Sequence, residues 1–157
     1  MPDAQVIGVD LGGTAIKLAR IRADGTVLVE AQVPTPQPAM PGVVTMALCE
    51  AIEQIDPEHA AEAVGIGLPG PMDVTARVAR VCNNLPGWED VPLADWLESR
   101  LNRRVTLAND GNCAVVGEAW LGAARGVDDV VLLTLGTGVG GGVLLSCLLY
   151  TSPSPRD

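Results

Sequence analysis

Two glycine turns constrain this chain more than any other feature. Asp10-Leu11-Gly12-Gly13-Thr14 follows one apolar, strand-like run, Leu135-Gly136-Thr137-Gly138-Val139-Gly140-Gly141-Gly142 follows another, and Asn109-Asp110 falls between them. A turn without Cβ atoms lets backbone N–H groups approach an anion closely, and threonine adds a hydroxyl donor. One such turn is a common loop. Two, with a carboxylate between them, are the parts that nucleotide-dependent phosphoryl transfer requires.

Composition narrows the classes that remain. The 157 residues are 48% apolar with a mean hydropathy of +0.29, which suits a globular domain with a buried core. With 3% aromatic residues and no Phe, that core is aliphatic. A net charge of −9 with only 10 Lys and Arg argues against a general nucleic-acid or anionic-membrane surface, since both depend on clustered cations. No apolar run approaches the ~18 residues of a membrane span, and no leader pattern opens the chain; a cytoplasmic location is expected. Cys49, Cys82, Cys113 and Cys147 lack Cys-x-x-Cys spacing and are expected as reduced, mostly buried thiols. His59 is the single histidine and is expected on a solvated loop, which sets aside a Ser-His-Asp triad or a histidine metal cluster.

Periodicity predicts an α/β chain. Gln5 to Val9 reads as a strand leading to Asp10, Ala15 to Ile21 as a second, and Thr26 to Val29, after the Asp24-Gly25 turn, as a third, all antiparallel. A strand rather than a helix after Gly13 separates this turn from Rossmann and Walker loops, although Ala15 to Arg22 also fits a short helix. Pro34, Pro36, Pro38 and Pro41 mark a connector, and Val44, Leu48, Ile52 and Ile55 recur at helical spacing. Ala63 to Leu68 reads as a buried strand ending at Pro69-Gly70-Pro71, and Leu93, Trp96, Leu97 and Leu101 as a second helix. Val105 to Ala108 then delivers Asn109-Asp110 to the start of a third helix. Strands alternating with helices imply parallel pairing beside the antiparallel opening. Val130 to Leu135 begins a further sheet, which the second glycine turn sends back through Val143-Leu144-Leu145.

These residues resemble the ROK family of sugar kinases and sugar-responsive repressors, within the actin-like, ribonuclease-H-like ATPase fold. The resemblance rests on Asp10 to Lys17, Gly67-Leu68-Pro69-Gly70-Pro71, Asn84-Leu85-Pro86-Gly87-Trp88, Asn109-Asp110-Gly111-Asn112-Cys113-Ala114 through Glu118, and Leu135 to Gly142. It implies a first lobe with a mixed sheet over residues 1–125 and the opening hairpin of a second lobe over 126–145. It also implies ATP and Mg²⁺ as cofactors, a hexose as substrate and a homodimeric parent protein, with no nucleic-acid or membrane partner. Within the family the Asn-Leu-Pro-Gly-Trp segment is most similar to glucokinases, while the Asn-Asp-Gly-Asn-Cys-Ala string is also similar to N-acetylmannosamine kinases.

By this resemblance Asp110 is the base beside the acceptor hydroxyl, and Asn109, Asn84 and the Gly70 backbone orient the sugar. Asp10 holds Mg²⁺ through water. Gly12, Gly13, Thr14, Lys17, Gly136, Thr137 and Gly138 serve the phosphates. Bland readings stand beside these: Asp110 as a helix N-cap, Asp10 as a turn residue, Lys17 as a solvated strand lysine, and Asn83 in place of Asn84. Trp88 is expected as a packing anchor and Glu118 as structural.

After Leu145 a family member continues to a Glu-x-Gly-His segment that grips the sugar, whereas this chain runs Ser146-Cys147-Leu148-Leu149-Tyr150 into a Ser-Pro repeat. Residues 146–157 are therefore expected as a non-native or disordered tail, and the chain alone is expected to have little kinase activity. A ROK repressor is the alternative from another class, disfavoured because the first strand starts too near Met1 to leave room for a helix-turn-helix. An actin-like filament protein is a third, disfavoured by Asn84 to Trp88 and Asn109-Asp110.

Overall fold

The apolar run Gln5–Leu11 forms β1 in the computed structural model, which describes residues 3–82, 85–135 and 139–151. Its alternation buries Ile7, Val9 and Leu11 and turns Gly8 and Asp10 outward. The Gly12-Gly13 turn leads into β2 (Ala15–Arg22), antiparallel to β1 with Asp10 opposite Lys17. After a bulge at Arg20/Ile21 the chain returns as β3 (Val27–Pro34), so Pro34 ends this strand rather than opening the connector.

The 3.6-residue apolar stripe predicted after the connector is α1 (Pro41–Ile55), with proline at its start and Val44, Leu48, Ile52 and Ile55 buried. β4 (Ala63–Leu68) runs parallel to β1. A short hairpin-like pair, β5 (Ala79–Val81) with β6 (Glu89–Val91), follows. These strands are too short to leave a readable period. α2 (Leu93–Leu101) buries Leu93, Leu97 and Leu101 and closes on Asn102 in the left-handed conformation. Trp96, expected on the same face, is instead partly exposed, because it stands one residue off the i, i+4 line through the three leucines. β7 (Arg104–Asn109) pairs parallel with β4 and includes Asn109 as its last residue.

These strands form one sheet in the order β3-β2-β1-β4-β7, and its core packs against α1 and α2. Its antiparallel opening and parallel continuation follow the predicted α/β plan. An ion network closes the amino ends of the parallel strands. Asp56, fully buried, accepts from Arg20 Nη1 and Arg103 Nη1 at 2.6 Å each and from the Ala60 and Ala61 N–H groups at 3.0 Å.

The described residues divide into two compact units, Met1–Asn109 and Asp110–Asp157, a boundary earlier than the one near residue 125 that the sequence suggests. In the second unit α3 (Asp110–Leu121) packs on β8 (Val130–Leu135) and β9 (Val139–Leu145), which pair antiparallel. Gly111 and Gly142 make this contact possible. A Cβ on Gly111 would overlap the Gly141 carbonyl, and one on Gly142 would overlap Val115. Beyond Leu145, a turn at Ser146-Cys147 carries β10 (Leu148–Leu149) back onto β9, so pairing continues into the stretch expected as a tail.

None of the four cysteines is in a disulfide. Cys49 and Cys82 are buried as expected, but Cys113 and Cys147 are exposed, one on α3 and one in the hairpin turn. His59 lies in a turn after α1, half exposed, with Nε2 3.1 Å from Glu53 Oε2. Among the described residues no helix is long and apolar enough to cross a membrane.

Candidate functional site

β1, β4 and β7 run parallel, so their carboxyl ends come out at one edge of the first sheet, where ligands of open α/β sheets gather. The register fixes which residues arrive there together. Asp10 is level with Gly67 and Ala108, and Leu68 with Asn109. The Gly12–Thr14 turn leaves β1, Gly70 follows β4, and Asn109 ends β7.

Gly70 is held at φ +94°, and a Cβ there would overlap the Val81 carbonyl oxygen, so the turn admits only glycine. Its carbonyl accepts a hydrogen bond from Asn109 Nδ2 at 3.2 Å, which joins the ends of β4 and β7 directly. Asp73, three residues on, organises the following loop. Its carboxylate accepts from the Thr75 hydroxyl and from the N–H groups of Val78 and Arg77 at 2.7 Å each. The Thr75 hydroxyl and then these backbone donors hold its carboxyl well below the usual range.

Asp110, exposed, is the next residue after Asn109 and the first of α3, and its Oδ1 accepts the Gly111 N–H at 2.8 Å. The Gly111 N–H is the next amide in the chain, whereas the N-cap of the bland reading accepts from an amide two or three residues on, and Asp110 itself is the first residue inside α3. Asp10 and Lys17 stand side by side, Oδ2 to Nζ 4.0 Å, both more than half exposed. An ion pair so open to water binds weakly and yields readily to a ligand. A shallow depression of about 680 Å³ runs from this pair down the outer face of β1 to β3, past Gly8, Ala19, Glu30 and Gln32.

The first glycine turn is braced by residues that no motif announces. The Thr35 Oγ1 hydroxyl donates to the Gly12 carbonyl at 2.6 Å, the Thr35 N–H to the Thr14 carbonyl at 2.9 Å, and Gln37 Nε2 to the Gly13 carbonyl at 2.9 Å. Both sit in the proline connector, where the sequence offers only a loop. Trp88 is the anchor expected of it: buried, with its indole N–H donating to the Ala39 carbonyl at 2.8 Å. Glu118 keeps to the end of α3, where Oε2 accepts the Ala123 N–H at 2.7 Å.

Of the residues singled out from sequence, Asp10, Gly12, Gly13, Thr14, Lys17, Gly70 and Asn109 lie in the first unit and Asp110 opens the second. Asn84, Gly136, Thr137 and Gly138 lie outside the described residues.

Comparison with known proteins gives these positions a family. The model of the ROK family matches residues 6–154. A glucokinase of Thermotoga maritima is 41% identical over 151 residues, 96% of this chain and 48% of its own length. An N-acetyl-D-glucosamine kinase of Salmonella newport is 38% identical over 140 residues, 88% of this chain and 46% of its own. Among solved structures, a ROK family glucokinase of Streptomyces griseus in complex with glucose and AMPPNP superposes with a TM-score of 0.89 at 36% identity, covering 96% of this chain and 47% of that one. The chain therefore spans about half the length of the relatives it matches. It belongs to the ROK family, and its α/β fold is that of the actin-like ATPases.

Proposed function

We propose that this ROK-family chain carries one half of the catalytic machinery of an ATP-dependent hexose kinase, and that the whole protein phosphorylates glucose to glucose 6-phosphate. The observation that carries this reading is the arrival of the Gly12–Thr14 turn, the Gly70 turn and the Asn109 side chain at the carboxyl ends of the three parallel strands of one mixed sheet, with Asp110 next in the chain. The glucokinase that binds glucose and AMPPNP supports it on a fold shared along this chain.

In this reading Asn109, the Gly70 backbone and Asn84 hold the sugar so that one hydroxyl lies against Asp110. The Asp110 carboxylate accepts the hydroxyl proton as the sugar oxygen bonds to the terminal phosphorus of ATP. The bond from that phosphorus to the bridging oxygen breaks, and its electron pair leaves with ADP. A carboxylate is a weak base, which suffices because phosphoryl transfer is driven mainly by alignment and charge stabilisation. The amides of the first glycine turn, the Thr14 hydroxyl and Lys17 bear the phosphates, a role that the family resemblance extends to Gly136, Thr137 and Gly138. The exposed carboxylate of Asp10 fits Mg²⁺, an ion that keeps most of its waters and shares phosphate oxygens. When bound, Mg²⁺ would neutralise charge building on the transferring group. Residues 1–125 form the first lobe in this scheme and 126–145 open the second.

The test is a coupled ADP assay of the whole protein across glucose, N-acetylglucosamine, N-acetylmannosamine, allose and fructose. Glucose should give the highest kcat/KM, and Asp110→Asn should lower kcat by about 10²–10⁴-fold with the KM for sugar little changed. An Asp110→Asn enzyme that retains full turnover would refute the role of this carboxylate. A second reading, an N-acetylhexosamine as acceptor, is supported by the 38% identity to the Salmonella kinase and is decided by the same panel.

A further inference from the structure

We propose that Thr35 and Gln37 are positioning residues that aim the amides of the first glycine turn outward, and that the Trp88–Ala39 hydrogen bond ties this brace to the segment that follows Asn84. The inference deepens the kinase reading and rests on it for the identity of the anion.

The argument starts from peptide geometry. In a planar trans peptide the C=O of one residue and the N–H of the next point in opposite directions. Fixing the Gly12 and Gly13 carbonyls on Thr35 Oγ1 and Gln37 Nε2 therefore turns the N–H groups of Gly13 and Thr14 away from the connector. The brace also holds the Gly12 and Gly13 carbonyl oxygens, which would repel an anion, toward the connector. A glycine-rich turn without such ties samples many conformations, and an anion would have to select the one with its amides converged.

Thr35 is buried, at 3% exposure, and bonds the turn on two sides: its hydroxyl to Gly12 and its N–H to Thr14. Two residues beyond Gln37 the chain reaches Ala39, whose carbonyl accepts the Trp88 indole N–H in the core. Trp88 is in turn part of a closed segment. Its carbonyl accepts the Cys82 N–H at 3.1 Å, and the Cys82 carbonyl accepts the Leu85 N–H at 2.8 Å. Gly87, at φ +75°, lies against Met40, where a Cβ would come within 3.1 Å of the Met40 methyl. A continuous set of bonds thus runs from the phosphate turn through residues 35–40 to the segment that the kinase reading assigns to the sugar. Every bond in it lies within the first unit.

The experiment uses the 157-residue chain, with ¹⁵N relaxation at Gly13 and Thr14 and titration with inorganic tripolyphosphate. In the wild type both amides should show order parameters near the rigid value of about 0.85 and should shift on titration. Thr35→Val and Gln37→Leu, which keep side-chain size but remove the donor, should lower those order parameters toward about 0.6. They should also weaken tripolyphosphate binding by about three- to tenfold. Gln37 is exposed, so its variant tests the idea even if Thr35→Val fails to fold. Trp88→Phe keeps one aromatic ring but removes the indole N–H together with part of the buried bicycle, so it tests the hydrogen bond and the packing around it jointly. It should loosen Gly13 and Thr14 by a smaller amount, because Ala39 is two residues beyond Gln37. Unchanged order parameters and affinity in both Thr35→Val and Gln37→Leu would overturn the brace, and an unchanged turn in Trp88→Phe would overturn its tie to the sugar segment. If the variants loosen the turn while the wild type ignores tripolyphosphate, the brace is supported and the phosphate role in the kinase reading fails.

Discussion

The two larger sheets among the described residues are built from the same aliphatic vocabulary and end differently. In the first, β1, β4 and β7 alternate or run apolar, and Ile7, Leu11, Ile66, Leu68 and Leu107 reach exposures of 0–2% under α1 and α2. In the second, one face of β8 and β9 meets α3, but Val131, Leu133, Leu135 and Val139 on the other stand 70%, 70%, 82% and 77% exposed. The strand pattern is the same; what differs is whether the described residues of the same unit supply a covering layer. An amphipathic strand specifies a face that needs burial and says nothing of what will bury it. The first unit also locks its amino edge with an internal charge network, for which the second shows no counterpart among the described residues.

The largest effect that would sharpen this contrast is on that network. Asp56→Ala leaves the Arg20 and Arg103 guanidinium groups without their shared carboxylate and should cost about 3–5 kcal/mol. Urea unfolding read on backbone amides should show the loss in β1, β4 and β7, while amides of β8 and β9 keep their own midpoint. Equal shifts in both sets would mean that the molecule unfolds as one body and that the contrast is only one of exposure. Acid should act on the same lock. Burial pushes the Asp56 carboxyl up, but the Ala61 N–H, Arg20, the Ala60 N–H and the Arg103 charge together outweigh burial and leave it below the ordinary carboxylate value. A group depressed in the folded state contributes stability that is complete above its unfolded value of about 4 and is lost as pH falls through the folded value. The first unit should therefore lose stability on acidification below about pH 4, and Asp56→Asn should remove that part of the pH dependence. An Asp56→Asn chain with the wild-type acid profile would place the titration elsewhere.

A core substitution comes next. Leu107→Ala on β7, at a core side chain 2% exposed, should cost about 2–5 kcal/mol in the first unit, the range of lost transfer energy plus a residual cavity. A cost below 1 kcal/mol, on the scale of an exposed position, would show that this core is looser than its burial implies.

Much of this organisation could be read from residues alone, and the exceptions share a cause. β1, β2, β4, β7 and α1 are legible because a period of two or 3.6 repeats long enough to be counted. The ends of β1 and β7 are legible because Gly12-Gly13 and Asn109-Asp110 are residue types that strand interiors avoid. By contrast, β5 and β6 are three residues each and carry no period. Asp56 reads as a turn residue before Pro57, and its partners Arg20 and Arg103 lie 36 and 47 residues away, a pairing only the folded chain creates. Thr35 and Gln37 are invisible for the same reason, since their meaning lies in carbonyls 23 and 24 residues earlier. The second glycine run reads as a turn through Gly142, but Val139 to Gly142 belong to β9, where Gly142 lets Val115 of α3 approach and Gly141 lies tight against the Leu132 carbonyl of β8.

The smallest expected effect is the one that decides what the exposed face of the second sheet is. Leu133→Ala removes a side chain of the same type as Leu107 from the same kind of strand, yet at 70% exposure it should change stability by less than about 0.5 kcal/mol. Leu133 sits opposite Gly141 and shares its face with Val131 and Leu135, so truncation leaves no enclosed cavity to be filled. Its consequence should lie in association, because the four apolar side chains Val131, Leu133, Leu135 and Val139 on one face of a short sheet favour contact with other apolar surfaces. Sedimentation at rising concentration should thus separate Leu133→Ala from the wild type, with the variant staying monomeric to higher concentration while its urea midpoint hardly moves. A loss of more than 1 kcal/mol in a strictly monomeric chain would mean that this face is buried within the molecule. The two sheets would then differ in how their cover is supplied, and both would have one.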